Sequence, residues 1–205
     1  MSEALKGQQD IYTNNTDTNR LDFVITQKLK QIHTAIPCKV IDVHVASGST
    51  GYVDVLPLVT HVDGMGKSVQ PVTHYHVPYS RIQGGIAALI IDPVKGDIGL
   101  VCFASKDSSN VKAGTTEPQQ PASFRRFSAS DGFYIGGFLN QAPEVYVELT
   151  QSKVCNIIAT GGVNIKGNVT VEGTITATGD IQGNGHSLTN HYHHGVHGDT
   201  STSVD

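Results

Sequence analysis

GGVNIKGNVTVEGTITATGDIQGNG, residues 161–185, is the stretch on which the fold turns. Glycines stand at 161, 167, 173, 179 and 185, six apart throughout. From Val163 onward every odd position is apolar or glycine: Val163, Ile165, Val169, Val171, Ile175, Ala177 and Ile181 are the apolar ones. Every even position is polar, from Asn164 and Lys166 through Thr174, Thr176 and Thr178 to Asn184. Period-two alternation marks a strand with one buried face. A six-residue repeat laid over it reads as a β-helix or β-prism.

The shortness of the stretch then sets the architecture. It holds about four repeats, and a repeat fold needs at least three stacked units to bury a continuous core. If one coil takes three hexapeptides, a single chain supplies little more than one coil. A lone strand would leave its apolar face in water. Three chains wound about one axis would bury the odd-numbered side chains against their symmetry mates, with glycine where backbones turn or come close. The expectation is a mainly β protein with a trimeric, intertwined β-helix stalk, at most roughly 80 Å long at full extension.

The remaining length leaves room for one globular domain. Among 205 residues, 14 Lys and Arg face 18 Asp and Glu, a formal charge of −4 that offers no basic surface for nucleic acid. Cys38, Cys102 and Cys155 are odd in number and widely spaced, so a disulfide framework is not expected. The opening MSEALKGQQD lacks the basic and apolar regions of a secretion signal, and no stretch is apolar and long enough for a membrane-spanning helix. A membrane, if met, would be met from outside.

Residues 1–18 read as a polar arm. Leu21, Val24, Ile25, Leu29 and Ile32 share one helical face, which predicts an amphipathic helix over residues 19–33. Packing on the following domain is the simpler reading of that face, and a subunit contact is the other. Short strands follow: Ile41, Val43 and Val45 alternate with Asp42 and His44, and Val53 and Val55 flank Asp54. Apolar runs at 86–91 and 98–104 are joined by a turn at 92–97. About five strands in this length suggest a small barrel, with an OB-fold as the leading form. Residues 106–121 read as an exposed loop. Arg125 and Arg126 lie among Phe124, Phe127, Phe133, Tyr134 and Phe138. This is a connector packed on the barrel in preference to a nucleic-acid site, because no wider basic patch accompanies it. Val145, Val147 and Leu149 alternate again and could begin the stalk, with a blurred phase at Ile157 and Ile158. The expected division is 1–34 arm and helix, 35–120 OB-fold domain, 121–144 connector, 145–185 stalk and 186–205 apex.

Five of the ten histidines, His186, His191, His193, His194 and His197, lie in the last twenty residues. His191 and His193 are two apart, so an extended backbone puts both on one face. Their parity is that of the inward stalk positions, and Ser187-Leu188-Thr189 reads as a turn that could reset it. With the parity kept, three chains would aim six imidazoles at the axis. That is octahedral, which favours iron, nickel or cobalt over tetrahedral zinc. A solvated polar tip or an expression tag is the other reading, although a tag is normally an unbroken histidine run. His74-Tyr75-His76 repeats the spacing, but no carboxylate follows it in sequence. It reads as one face of a strand without a metal. Asp42, Asp54, Asp63, Asp92, Asp97, Asp107 and Asp131 look scattered and solvated. No phosphate loop, GxSxG or HExxH is present, so no enzyme is expected.

The segment Thr189-Asn190-His191-Tyr192-His193-His194-Gly195-Val196 resembles the T-H-x-H-x-G-V-like apex of the central spike in contractile-tailed bacteriophages, the membrane-piercing or baseplate assembly protein V family. Asn190 is inserted before the first histidine, and His194 stands where that family usually has glycine. His33-Thr34-Ala35-Ile36-Pro37-Cys38-Lys39-Val40, Arg125-Arg126-Phe127, Ser130-Asp131 and Gly136-Gly137-Phe138 are similar to its N-terminal part. The resemblance covers most of the chain. It implies an N-terminal OB-fold, a trimeric β-helical stalk, and one iron ion shared by three chains through His191 and His193. Some relatives also hold calcium or chloride near the apex. It further implies a structural virion protein at the tip of the tail baseplate, made in the host cytoplasm. Such a spike would be joined to baseplate hub and tail-tube proteins and driven through the host outer membrane. The rivals are the spike of a related contractile secretion system, a trimeric hexapeptide-repeat acyltransferase, a metal-dependent hydrolase and a tail-fibre-like receptor binder.

Overall fold

The computed structural model describes residues 15–45, 51–63, 65–191, 194–196 and 198–199. The chain is mainly β and divides into two compact units, Met1–Ala142 and Pro143–Asp205.

In the first unit the elements run α1 (Asp17–Leu29), β1 (Ala35–His44), β2 (Tyr52–Pro57), β3 (His61–Val62), β4 (Ser68–Val69), β5 (His74–Pro78), β6 (Ile82–Gly84), β7 (Ala87–Leu89), β8 (Ile98–Phe103), α2 (Ser109–Lys112) and β9 (Gly132–Ile135). Five strands form one antiparallel sheet in the order β5-β2-β1-β8-β9. The sheet curls until its ends meet. Tyr79, just past β5, bridges to Tyr134 of β9, and the Ser80 amide donates to the Tyr134 carbonyl at 2.9 Å.

The inward side chains are Cys38, Val40, Val53, Val55, Val77, Tyr79, Val101, Phe103 and Tyr134. They follow from period-two alternation, as in Val53 and Val55 on either side of outward Asp54. The interior is tight at one end. A Cβ at Gly99 would occupy the Tyr134 ring, so β8 passes that ring only because residue 99 has no side chain. Burial pushes the Cys38 thiol up to about 12, the position of an inert packing residue.

Several expectations are corrected in this unit. The helix starts earlier and ends sooner than 19–33, because the Thr16 hydroxyl accepts the Asn19 amide at 3.2 Å and caps it. Its apolar face is not packed on the barrel: Leu21, Val24, Ile25 and Leu29 are exposed, and no helix residue is buried among the described residues. The fifth sheet strand, β9, comes from residues expected to be connector, so part of 121–144 belongs to the sheet. The run 86–91 does not lead as a core strand into β8. Only Ala87–Leu89 is extended; it pairs with β6 as an outlying hairpin, and all three residues are exposed. A continuous apolar run has no period to say which face is buried, which is why sequence put it inside. The loop 106–121 contains the short helix α2.

The second unit begins with a hairpin of β10 (Tyr146–Leu149) and β11 (Cys155–Ile158). Val147 faces Ile157 and Tyr146 faces Ile158 across it, so apolar pairs occupy both faces. This is the source of the blurred phase: the chain reverses at 150–154 instead of continuing as one strand. Residues 159–180 then run on with no strand partner among the described residues. Gly167 and Gly173 have φ of 143° and 147°, a region closed to L side chains, so these two repeat glycines are required by the backbone. Two short hairpins follow: β12 (Gln182–Gly183) with β13 (His186–Ser187), and β14 (His194–Gly195) with β15 (Gly198–Asp199). No helix among the described residues is long and apolar enough to cross a membrane.

Candidate functional site

The end of the second unit is built by a tight reversal. Asn184 and Gly185 have φ of 50° and 80°, positive at both central positions as a two-residue hairpin turn demands. The Leu188 amide extends the pairing by donating to the Ile181 carbonyl at 2.8 Å. Asp180 fixes the returning strand: its Oδ1 accepts the Ser187 hydroxyl at 2.8 Å and the Thr189 amide at 3.3 Å. The Ser187 bond is the main reason the Asp180 carboxyl sits below the usual carboxylate range. Ser187 Oγ in turn accepts the Asn190 amide at 2.8 Å, which delivers the chain to His191.

His191 Nδ1 lies 2.8 Å from the Leu188 carbonyl oxygen. A carbonyl only accepts, so Nδ1 carries a proton in this contact. A backbone carbonyl at one ring nitrogen is the kind of partner that orients a metal-binding histidine. His191 closes one side of a groove of about 550 Å³ that Ile181, Gly183, His186 and Leu188 also line. No protein-family model matches the chain, and no curated protein matches it significantly. The reading of the site therefore rests on its own geometry.

Of the two histidines expected as ligands, His191 is described and suited to the task. His193 lies outside the described residues, as does His197. His194 is placed by its backbone alone, in β14 opposite Asp199. The reversal also changes the basis of the parity argument. The chain turns at Asn184 and Gly185, before Ser187, so the direction of the His191 ring is set by the Asp180–Ser187–Asn190 relay instead of stalk alternation. Asp180 and Ser187 were missed as supports. The Asn-Gly dipeptide was the signal that could have found them.

In the first unit, His74 and His76 do not share a face. A bulge opposite β2 and a φ of 54° at His76 separate them. The His74 ring packs edge-on to Phe103, and burial, helped by nearby His33, moves its pKa down. The His76 ring stacks on His44. A carboxylate is also at hand, brought by β2 and invisible in the local sequence: the His76 amide donates to Asp54 Oδ1 at 2.9 Å. Asp107 and Asp131 are likewise not solvated. Arg125 Nε donates to Asp131 Oδ2 and Nη2 to Asp107 Oδ1, both at 2.8 Å. The Ser108 amide and hydroxyl donate to Asp131 Oδ1 as well. Hydrogen bonding from Arg125 holds the Asp131 carboxyl well below the carboxylate range against the opposing effect of burial. The Arg125 guanidinium is thus committed within its own chain.

Proposed function

We propose that this chain is the trimeric central spike of a contractile phage tail. In this reading the curled sheet is an OB-fold that joins the baseplate hub and tail tube. Residues 145–185 form an intertwined three-chain β-helix, and His191 and His193 of three chains hold one iron ion at the point. The spike is driven through the host outer membrane and performs no catalysis.

One observation carries the proposal. Within the chain, Val163, Ile165, Val169 and Ile175 remain 57–67% exposed, and their backbone has no strand partner among the described residues. A strictly alternating strand with an open apolar face and open hydrogen-bonding edges needs other strands to complete it. A second support is the Leu188 carbonyl, which holds the His191 ring through Nδ1 at 2.8 Å. The even-numbered Thr, Asn, Lys and Glu residues keep the outside of such a stalk polar.

The test is light scattering and elemental analysis of untagged protein. The expected particle has three times the chain mass of 21.8 kDa and one iron per three chains. A monomer would end the stalk reading. A trimer that lacks iron at one per three chains would remove the axial iron.

A further inference from the structure

We propose that Asp42, His44 and Asp54 form a divalent-cation site on the outer face of the curled sheet, suited to Mn²⁺, Co²⁺ or Zn²⁺. The site lies in the first unit and does not depend on the spike reading.

Two strands assemble it. β1 carries Asp42 and His44 two residues apart, hence on one face, and the register sets Asp54 of β2 directly opposite Asp42. One ligand atom from each of the three lies within 4.8 Å of the other two. Ligands each about 2.1 Å from one ion stand about 3.0–3.4 Å apart. His44 Nε2 and Asp54 Oδ2, at 3.1 Å, already have that spacing.

The surroundings hold the donors in place. Asp54 is 9% exposed, and its other oxygen is tied to the His76 amide, which leaves Oδ2 directed at His44. The His76 ring lies on the His44 ring at 5.4 Å and 3° and fixes its plane. Supports of this kind orient metal ligands.

Charge gives the second, independent reason. Like charges directly opposite on neighbouring strands destabilise a sheet. The His44 ring reaches Asp54 alone, whereas one cation among the three answers both carboxylates. Two carboxylates with one imidazole suit borderline divalent ions; Ca²⁺ and Mg²⁺ prefer oxygen alone. Asp42 and His44 are exposed, so water completes the coordination. Beyond Val40, which still bonds to Gly96 and Asp97, β1 pairs with β2 only. The ion would clamp that end.

The experiment uses the full chain. Metal already present is counted by elemental analysis, and Co²⁺ is then titrated and followed by visible absorbance and calorimetry. One additional Co²⁺ per chain is expected, with affinity at least about tenfold lower in Asp42→Asn and in His44→Gln. Both residues are exposed, and circular dichroism melts verify that each variant is folded. Absence of added Co²⁺ binding up to about 1 mM, or binding that neither substitution changes, overturns the site.

Discussion

In the proposed trimer, replacing Ile175 by Asn should dissociate the chains without unfolding the curled sheet of the first unit. Ile175 is 65% exposed in the single chain, so about two-thirds of its side chain is left for other chains to cover. Full burial of an isoleucine is worth about 1.5–3 kcal/mol, so the share gained on assembly is about 1–2 kcal/mol per chain. Three equivalent positions bring the loss to about 3–6 kcal/mol per trimer, before any penalty for placing amides at the axis. That weakens association by roughly 10²–10⁴-fold. Sedimentation of a dilution series reads this directly. Thr176→Asn, one residue along and on the polar face, is the control and should behave as the parent. The reasoning is refuted if Ile175→Asn keeps the parent's mass and dilution profile, or if Thr176→Asn weakens association equally.

His191→Ala should remove iron from the purified protein while light scattering still reports three chains. Gly185→Val places a β-branched residue at φ of 80° and should cost about 1–2 kcal/mol at the hairpin, seen as lost iron and a softer tip in hydrogen exchange. Gly99→Ala drives a methyl into the Tyr134 ring and should lower first-unit stability by about 1–3 kcal/mol in a thermal melt. Asp131 has a folded pKa below its unfolded value of about 3.9, so its contribution is present above that pH and fades as pH falls through the folded value. Acid unfolding below about pH 4 should therefore be shallower in Asp131→Asn than in the parent, at lower overall stability.

What the sequence disclosed depends on periodicity. The alternations around Asp42 and Asp54 located β1 and β2 because a half-buried strand writes its two faces into consecutive residues. The helix was found by the same logic, but its free apolar face was not. A pattern says that a face is apolar and is silent about what covers it. The run 86–91 misled because it has no alternation. The Asp54 and Arg125 clusters were illegible for a different reason. Asp54 meets a backbone amide 22 residues later, and Arg125 meets Asp107 across 18 residues. Strand register and loop return bring these groups together, and neither is a local property of the chain. His191 was legible as a residue. Its support by Leu188, Ser187 and Asp180 depends on the Asn184–Gly185 turn.

The solitary course of residues 159–180 also divides the folding reaction by order. The first unit contains its own sheet partners, so it can fold in a step whose rate ignores protein concentration. Residues 159–180 have none among the described residues, and in the proposed trimer they gain partners only through encounters between chains. Refolding should thus show a fast unimolecular phase followed by one that accelerates as the protein is concentrated. Until that second phase ends, each chain carries an open β edge. The threonines, Lys166, Glu172 and Asp180 along it are the residues placed to keep the waiting chains in solution.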